Sequence, residues 1–495
     1  MKKLAYTISI LLLASSAFAQ DLTDGLRYSN YHISGTARSA AMGNAFGALG
    51  GDFTSLSINP AGIGVYRAGE ITITPSIGNI STDGTFLSNK VNDSRYNFGF
   101  NNLGYVATIP TGDNSESGLV SLSFGLGFNR MEDLSFNRVA QGANSNHSLL
   151  TYFTDNVNSS GLAPSNFDPY YERLAYDTYL INYDKDNKEY YNNITDNKYG
   201  QSQRKSTQQR GYINEYVLSM GANFNHKFYL GATIGIQDVY AKEDANLYEW
   251  DAKNNIPYFN EFNFNTYLKT TGSGFNFKLG AIYKPTDQLR LGIAFHTPTF
   301  YRFTEDYDSY MNSSISYSDG TENYKANPDQ PGTYDYKMQT PFKTIFSGAY
   351  IIGKSALISV DYELVDYSTI KLKDGSNGYD YYGENQDIKS AYKTTGNLHV
   401  GGEYRVNPNF SVRAGYENYG NPYNAKYNGV ENPNSDNSYS TISAGLGFKQ
   451  GNFFIDTTYK RISYDEHLKA YIGSPNMVYY EAKQNNFIIT FGYKF

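Results

Sequence analysis

The sequence predicts an all-β transmembrane barrel of about fourteen antiparallel strands, with a short N-terminal plug (hatch) inside the lumen. Three observations carry this reading: period-two alternation from Glu70 onward, connections that switch between short and long, and a last strand that ends on Phe495. Composition agrees. The 495 residues include 49 Tyr, 30 Phe and 46 Gly but no Cys, and only 18 % are charged. Without cysteine there is no disulfide, thiolate metal site or thiol nucleophile. With 41 basic and 48 acidic side chains the formal charge is −7, so no basic excess points to nucleic acid. Aromatic residues at 16 % are too many for a disordered chain, despite a mean hydropathy of −0.54.

The first element is an export signal. Lys2 and Lys3 precede a mostly apolar run from Leu4 to Leu13, and Ala17-Phe18-Ala19 places small residues where a signal peptidase reads. Cleavage after Ala19 is expected, because the run is shorter than the ~20 residues that cross a bilayer. Residues 20–69 follow and do not alternate. The stretch from Ala37 to Ala48 is rich in alanine and glycine, which suits a short, closely packed helix. Asn59-Pro60-Ala61-Gly62 reads as a turn, since proline restricts the residue before it and lacks an amide donor. A small-residue segment ahead of a barrel reads as a plug. The expected layout is therefore a signal peptide at 1–19, a hatch at 20–69 and a barrel at 70–495.

In the barrel, Val120, Leu122, Phe124, Leu126 and Phe128 alternate with Ser121, Ser123, Gly125, Gly127 and Asn129. Leu289, Leu291, Ile293 and Phe295 alternate with Arg290, Gly292, Ala294 and His296. Each run has one apolar wall and one small or polar wall. Strands are expected near 70–80, 96–110, 117–131, 213–224, 228–243, 262–284 and 288–303, then near 338–351, 355–371, 392–405, 409–420, 437–449, 452–464 and 479–495. Short turns such as 225–227, 284–287 and 450–451 alternate with long polar segments at 132–212, 244–261, 304–337, 372–391, 421–436 and 465–478. Tight turns at one end and large loops at the other are what a membrane barrel needs, whereas a sandwich has no such requirement. Phe487, Ile489, Phe491, Tyr493 and Phe495 share a face of the last strand. A terminal aromatic there resembles the signal read by the barrel-assembly machinery, so Phe495 is expected to direct insertion into outer-membrane lipid.

The segment before the barrel resembles the hatch of the FadL/TodX family of outer-membrane transporters for hydrophobic compounds. The matching residues are Gly35, Arg38, Met42-Gly43, Ala45-Phe46, Asp52 and Asn59-Pro60-Ala61-Gly62, with Ser39 departing from the family's alanine. The barrel also fits in strand number and final phenylalanine. The resemblance implies passive uptake of hydrophobic small molecules such as long-chain fatty acids, across the outer membrane of a Gram-negative bacterium and without a cofactor. It implies gating by Gly35, Arg38, Gly43, Phe46, Asp52, Asn59, Pro60 and Ala61, with sideways release through the moved hatch or a kinked strand. Two other readings stay open: a PorV-like partner of a protein secretion system, and a barrel hydrolase.

The 132–212 loop is the candidate capture element. Asp168-Pro169 reads as a helix start, after which Tyr171, Leu174, Tyr179 and Leu180 would present an apolar surface. Loops of this length without structure are uncommon, so it is expected to fold. His296 and His399 should point inward by alternation, chiefly as polar lumen residues. No Gly-x-Ser-x-Gly elbow and no Gly-rich loop ending in Lys-Ser/Thr occurs. Asp184, Asp186 and Glu189 lack the spacing of an EF-hand and read as a solvated acidic loop.

Overall fold

The computed structural model describes residues 22–111, 118–194, 200–376 and 378–495. The expected signal peptide lies outside them. Fourteen wall strands follow one another around a closed antiparallel sheet. They are β1 (Glu70–Phe86), β2 (Asn89–Pro110), β3 (Leu119–Asp133, continued as Phe136–Ser145), β4 (Gln201–Phe224), β5 (Phe228–Trp250), β6 (Glu261–Tyr283) and β7 (Leu289–His296, continued as Phe300–Tyr317). Then come β8 (Gly332–Gln339, continued as Lys343–Ile352), β9 (Ala356–Asp366), β10 (Thr394–Arg405), β11 (Phe410–Tyr419), β12 (Tyr439–Gln450), β13 (Phe453–Lys469) and β14 (Met477–Lys494). Pairing of Glu70 with Lys494 and of Thr85 with Tyr479 joins β1 to β14 and closes the ring. Closure leaves no free sheet edge at that junction.

Alternation sorts the side chains. Leu218 and Met220 on β4, Leu230, Ile234 and Ile236 on β5, and Phe275 and Leu279 on β6 are exposed on the outside. So large an apolar surface is a liability in water and the normal lining of a bilayer. The inner wall instead buries paired charges. Lys278 Nζ lies 2.5 Å from Glu215 Oε2, Lys460 Nζ 3.1 Å from Glu417 Oε1, and Arg413 spans Glu403 and Asp456 at 2.7 and 2.5 Å. Buried charges persist only when paired in this way.

One end of the barrel carries tight turns. Asn225 and His226 both take positive φ between β4 and β5, as short hairpins require. The chain's end sits there too: Gly69 and Phe495 exchange backbone hydrogen bonds at 3.0 Å, and the Phe495 ring stacks on Tyr105. The opposite end is taller than the sequence reading expects. The polar segment 304–337 is largely strand, and 244–250 and 465–469 are strand too, because β5, β7 and β13 run on past the apolar belt. Likewise β1 and β2 meet directly through Leu87 and Ser88, both at positive φ, where a gap at 81–95 was expected.

The 132–212 segment folds into a cap with helices α4 (Leu149–Ser160) and α5 (Glu172–Asp177) and a hairpin of Ile181–Asp184 with Glu189–Asn192. (The three earlier helices, α1 to α3, lie in the N-terminal segment below.) Helix α4 starts on Ser148, whose side chain accepts the Leu150 amide, and stops at Gly161 in the left-handed region. From its buried face Leu149, Leu150 and Phe153 pack with Leu174, Phe262 and Phe264 into an apolar core above the barrel.

Candidate functional site

Residues 22–69 occupy the lumen. They form three short helices, α1 (Leu22–Arg27), α2 (Ala37–Ala41) and α3 (Ser55–Ile58), and a 3-10 turn at Pro60–Val65; α2 rests on β11 to β14, α3 and the turn on β3 to β6, and α1 on the helix Tyr382–Ala391. The expected helix over 37–48 is shorter, since Gly43 and Asn44 turn the chain at positive φ. Helix α2 is capped by Thr36, whose hydroxyl takes the Ser39 amide and donates to Asp52 at 2.8 Å. Asn59 caps the 3-10 turn by accepting the Ala61 amide, with Pro60 in the first position.

Each hatch residue singled out from the sequence has a definable place. Gly35 takes φ +50° against Thr54, and a Cβ on Gly43 would press on the backbone of Tyr416 and Val400. Arg38 donates to Glu403 at 3.0 Å and lies over the Phe46 ring, which is fully buried with Met42, Ile58 and Ile345. Asp52 also accepts the Thr54 amide. Asn59 donates to the Gly47 carbonyl at 2.6 Å, and Ala61 packs on Tyr229 and Ile282.

The wall holds this segment mainly by its backbone. His296 and His399 do point inward, and donate to the carbonyls of Ile58 and Gly43 at 2.8 and 3.0 Å. Lys278 donates to Ser57 O and Arg290 to Leu49 O, while Asp361 accepts the Gly47 amide at 2.7 Å. Inward glycines complete the socket. A Cβ on Gly231 would strike Pro60, on Gly280 Asn59, on Gly292 Gly47, on Gly401 Met42 and on Gly415 Gly43. Only glycine allows backbone to approach backbone so closely. Sequence reading saw some of these positions as small residues on the non-apolar wall. The signal was present, but not what the space was for.

Residues 28–34 cross the lumen above the hatch as a strap. At one end the Tyr28 ring lies 4.7 Å from Phe303, and Tyr367 donates to Asn30. At the other, the His32 amide and Nδ1 both lie 2.7 Å from Glu132 Oε2, and the Ser34 amide donates to Arg130 O. His32 is also stacked on Tyr439, with ring centroids 3.9 Å apart.

That anchorage falls on an irregularity in the wall. The β2–β3 ladder runs only from Pro110–Ser121 to Asn102–Asn129. Above it β3 bulges between Arg130 and Glu132 but stays on β4, while β2 stays on β1. The β1–β2 hairpin therefore overlaps the upper part of β3 without pairing to it. Side chains stitch the overlap: Asn97 donates to Asp133, Arg95 to Gln209 O and Asn89 to Gln141 O. Outside, Tyr96 is 80 % exposed and Phe98 63 %. At the foot of this seam Asn129 links Asn102 to Ser57 of the hatch, each at 2.9 Å.

Among the described residues, cavities lie at three heights along the lumen. The upper one, about 240 Å³, lies above the strap and behind the seam, beside His32, Glu132, Leu134, Arg138, Tyr439 and Glu466. A chamber of about 40 Å³ lies below the strap, between Tyr31, Ile33, Ile58, Met131, His296 and Lys343. A basin of about 280 Å³ opens at the tight-turn end, beside Arg38, Asp52, Glu403, Arg405 and Arg413. The last is strongly polar, whereas the first sets its charged groups beside Leu26, Leu134, Phe136 and Leu468.

The predicted capture residues are not gathered into an open surface. Leu174 and Leu180 are buried in the cap core, and Tyr171 packs against Phe153, Phe264 and Tyr307. Tyr179 alone is half exposed, beside Tyr324. The helix also starts later than the sequence suggests. Asp168 spends its carboxylate on the Tyr170 amide, and α5 begins at Glu172. Asp184 is used similarly, accepting the amides of Asp186 and Asn187 within its own hairpin.

A family model described as outer membrane protein transport protein (OMPP1/FadL/TodX) matches residues 188–495. Among solved structures, a FadL homologue of Pseudomonas aeruginosa is 15 % identical, with a TM-score of 0.57 over 94 % of this chain and 100 % of that one. The P. putida toluene transporter TodX is 11 % identical, with a TM-score of 0.50 over 92 % and 98 %. At such identities the likeness is one of fold. No curated protein sequence matches the chain.

Proposed function

This chain belongs to the OMPP1/FadL/TodX family of outer-membrane transport proteins, and we propose that it takes up long-chain fatty acids and similar amphiphiles passively, gated by its N-terminal segment. As a member of that family it is a transporter of hydrophobic compounds and not an enzyme. The observation that carries the finer reading is that plug and seam share contacts: His32 with Glu132, Ser34 with Arg130 and Ser57 with Asn129.

The route follows from the physics of each part. Lipid headgroups and surface sugars oppose a hydrophobic solute, so the protein must offer a path past them. Cargo enters beside the cap and reaches the upper cavity. Its lining sets Arg138, Gln209 and Tyr439 beside Leu134, Phe136 and Leu468, which suits the head and tail of an amphiphile together. Displacing the strap from Glu132 frees the bulge, and the molecule leaves through the seam into the outer leaflet. The polar clamps on the hatch backbone are exchangeable with water, so the segment can move without exposing a large apolar core.

The test is uptake of radiolabelled oleate by cells lacking their own transporter, comparing the natural protein with Arg38→Ala and Pro60→Ala at matched surface levels. Uptake that depends on both hatch residues supports the reading. Correct insertion without oleate uptake overturns it and favours the PorV-like secretion role, read next from the surface display of secreted proteins.

A further inference from the structure

The seam is not the wall's sole irregularity. Between β7 and β8 the register is His296 to Lys343 below and Phe300 to Gln339 above. The offset is the same on both sides, so Pro298 faces Pro341 and Thr297 faces Phe342. Proline cannot donate to a ladder and normally sits on an edge or a bulge. A closed barrel has no edges, and here two prolines oppose each other on neighbouring strands. The inward face changes at the same height. Ala294 and His296 face inward below, and Thr299, Tyr301 and Phe303 above. On β8 the inward set changes from Met338 and Thr340 to Lys343 and Ile345, and beyond β9 from Val365 to Ile370 and Leu372.

Side-chain hydroxyls patch what the break leaves. The Thr299 amide donates to Thr340 Oγ1 at 2.8 Å and the Phe277 amide to Thr297 Oγ1 at 2.9 Å. Among the described residues no backbone hydrogen bond joins 297–298 to 341–342. The interruption is confined to those two pairs, since the Thr340 amide donates to Thr299 O at 3.1 Å just above them; irregularities that face each other leave the pitch unchanged and interrupt the ladder between them. Pro298 is nine residues above Leu289, which at ~3.4 Å per residue and ~40° of tilt is near the outer limit of a ~25 Å apolar band. Phe295, Phe300 and Phe342 stand exposed around the gap.

Behind this break lies the chamber under the strap. His296 and Lys343, the residues just below the prolines, form one end of it, and Met131, within the β3 bulge, the other. One cavity thus reaches both irregularities, which are separated by the strands β3 to β7. We propose that the paired prolines mark a second lateral portal, through which an amphiphile that has displaced the strap and widened this small chamber passes between β7 and β8 into the outer leaflet. The inference rests on the transport reading for its cargo, while the opening itself is a property of the wall. Because His296 also holds Ile58 O, hatch movement and portal opening share a contact.

The natural chain has no cysteine, so introduced pairs are unambiguous. Facing residues of an antiparallel pair lie ~4.5–5.5 Å apart at Cα, within disulfide range. The experiment measures oleate uptake with Phe300→Cys and Gln339→Cys, ladder partners at the portal's upper rim, paired across the portal, Asn97→Cys and Asp133→Cys, whose side chains touch across the seam, paired there, or all four. Oxidising the portal pair should remove about half the flux when the two routes are comparable, with recovery on reduction. Only the four-cysteine protein should fall to background. An oxidised portal pair that transports like its reduced form, or a seam pair that alone abolishes uptake, overturns the proposal. If the natural protein takes up no oleate, the transport reading has failed, and hydrogen exchange decides the portal separately. The amides of Thr299 and Thr340, whose partners lie across β7–β8, should then exchange roughly tenfold faster than those of Leu291 to Ala294. Equal protection overturns the portal whatever the cargo.

Discussion

In the cap, Phe153 is fully buried among Leu149, Leu174 and Phe264, whereas in the plug Arg38 reaches Glu403 and the backbone is gripped by His296, His399, Lys278 and Arg290. The plug does have apolar clusters, around Phe46 and around Phe53, but each is small. The cap is a soluble domain in miniature, held by transfer of apolar surface from water. The plug is held by hydrogen bonds that water can replace, in a socket of glycines. Per group, a hydrogen bond to a charged partner contributes about 1.5–3 kcal/mol and a buried large apolar side chain about 2–5 kcal/mol. The difference suits the proposed gating, in which the cap stays folded and the plug moves.

Removing residues 22–58 is the most severe way to break this comparison. The barrel should still insert, and single-channel conductance should rise from background to that of an open pore. Unchanged conductance would mean that the segment does not seal the lumen. Next in size is Phe153→Ala, expected to cost about 3–5 kcal/mol within the cap. Limited proteolysis should then cut near residues 149–180 while the barrel keeps its heat-resistant migration on gels. Loss of the barrel as well would show that cap and wall fold as one unit.

Arg38→Ala should cost less, about 1–3 kcal/mol, because Glu403 keeps Arg413 as a partner. Hatch amides should exchange faster than in the natural protein, with cap amides unchanged. A smaller effect concerns pH. Burial raises the carboxyls of Asp168 and Glu172 above their ordinary values, although the Asn156 amide donates to Glu172. An acid whose folded value is raised is penalised when ionised, so the cap should gain stability as pH falls from neutral toward the ordinary value of 4.5. Thermal melting of the cap should follow that slope, and Glu172→Gln should flatten it. A cap that loosens over the same interval would reverse the sign and contradict the assignment.

How much of this was legible beforehand varies by region. Alternation in runs such as Val120 to Asn129 fixes which residues face lipid, because a strand has two faces and a period of two. Turn chemistry at Asn59-Pro60 is equally local. The cap was harder, since Asp168-Pro169 carries a valid helix-start pattern that the chain uses for a bend, and since Leu174 and Leu180 look like an offered surface until their partners Phe262 and Met311 are known. The extent of β5, β7 and β13 beyond the membrane was invisible for a related reason, polar strands and polar loops sharing a composition, whereas β6 was legible over its whole length.

By itself, then, the order of residues determined a closed barrel, its lipid-facing band, an N-terminal segment unlike the rest and a chain end at the tight-turn rim. Each of these rests on short-range periodicity or on the stereochemistry of a few neighbouring residues. Tertiary structure alone decided that Gly231, Gly280 and Gly401 make a socket, that His32 meets Glu132 at the β3 bulge, and that Pro298 faces Pro341. Those pairings join residues tens to hundreds of positions apart, and only the register of the closed sheet brings them together.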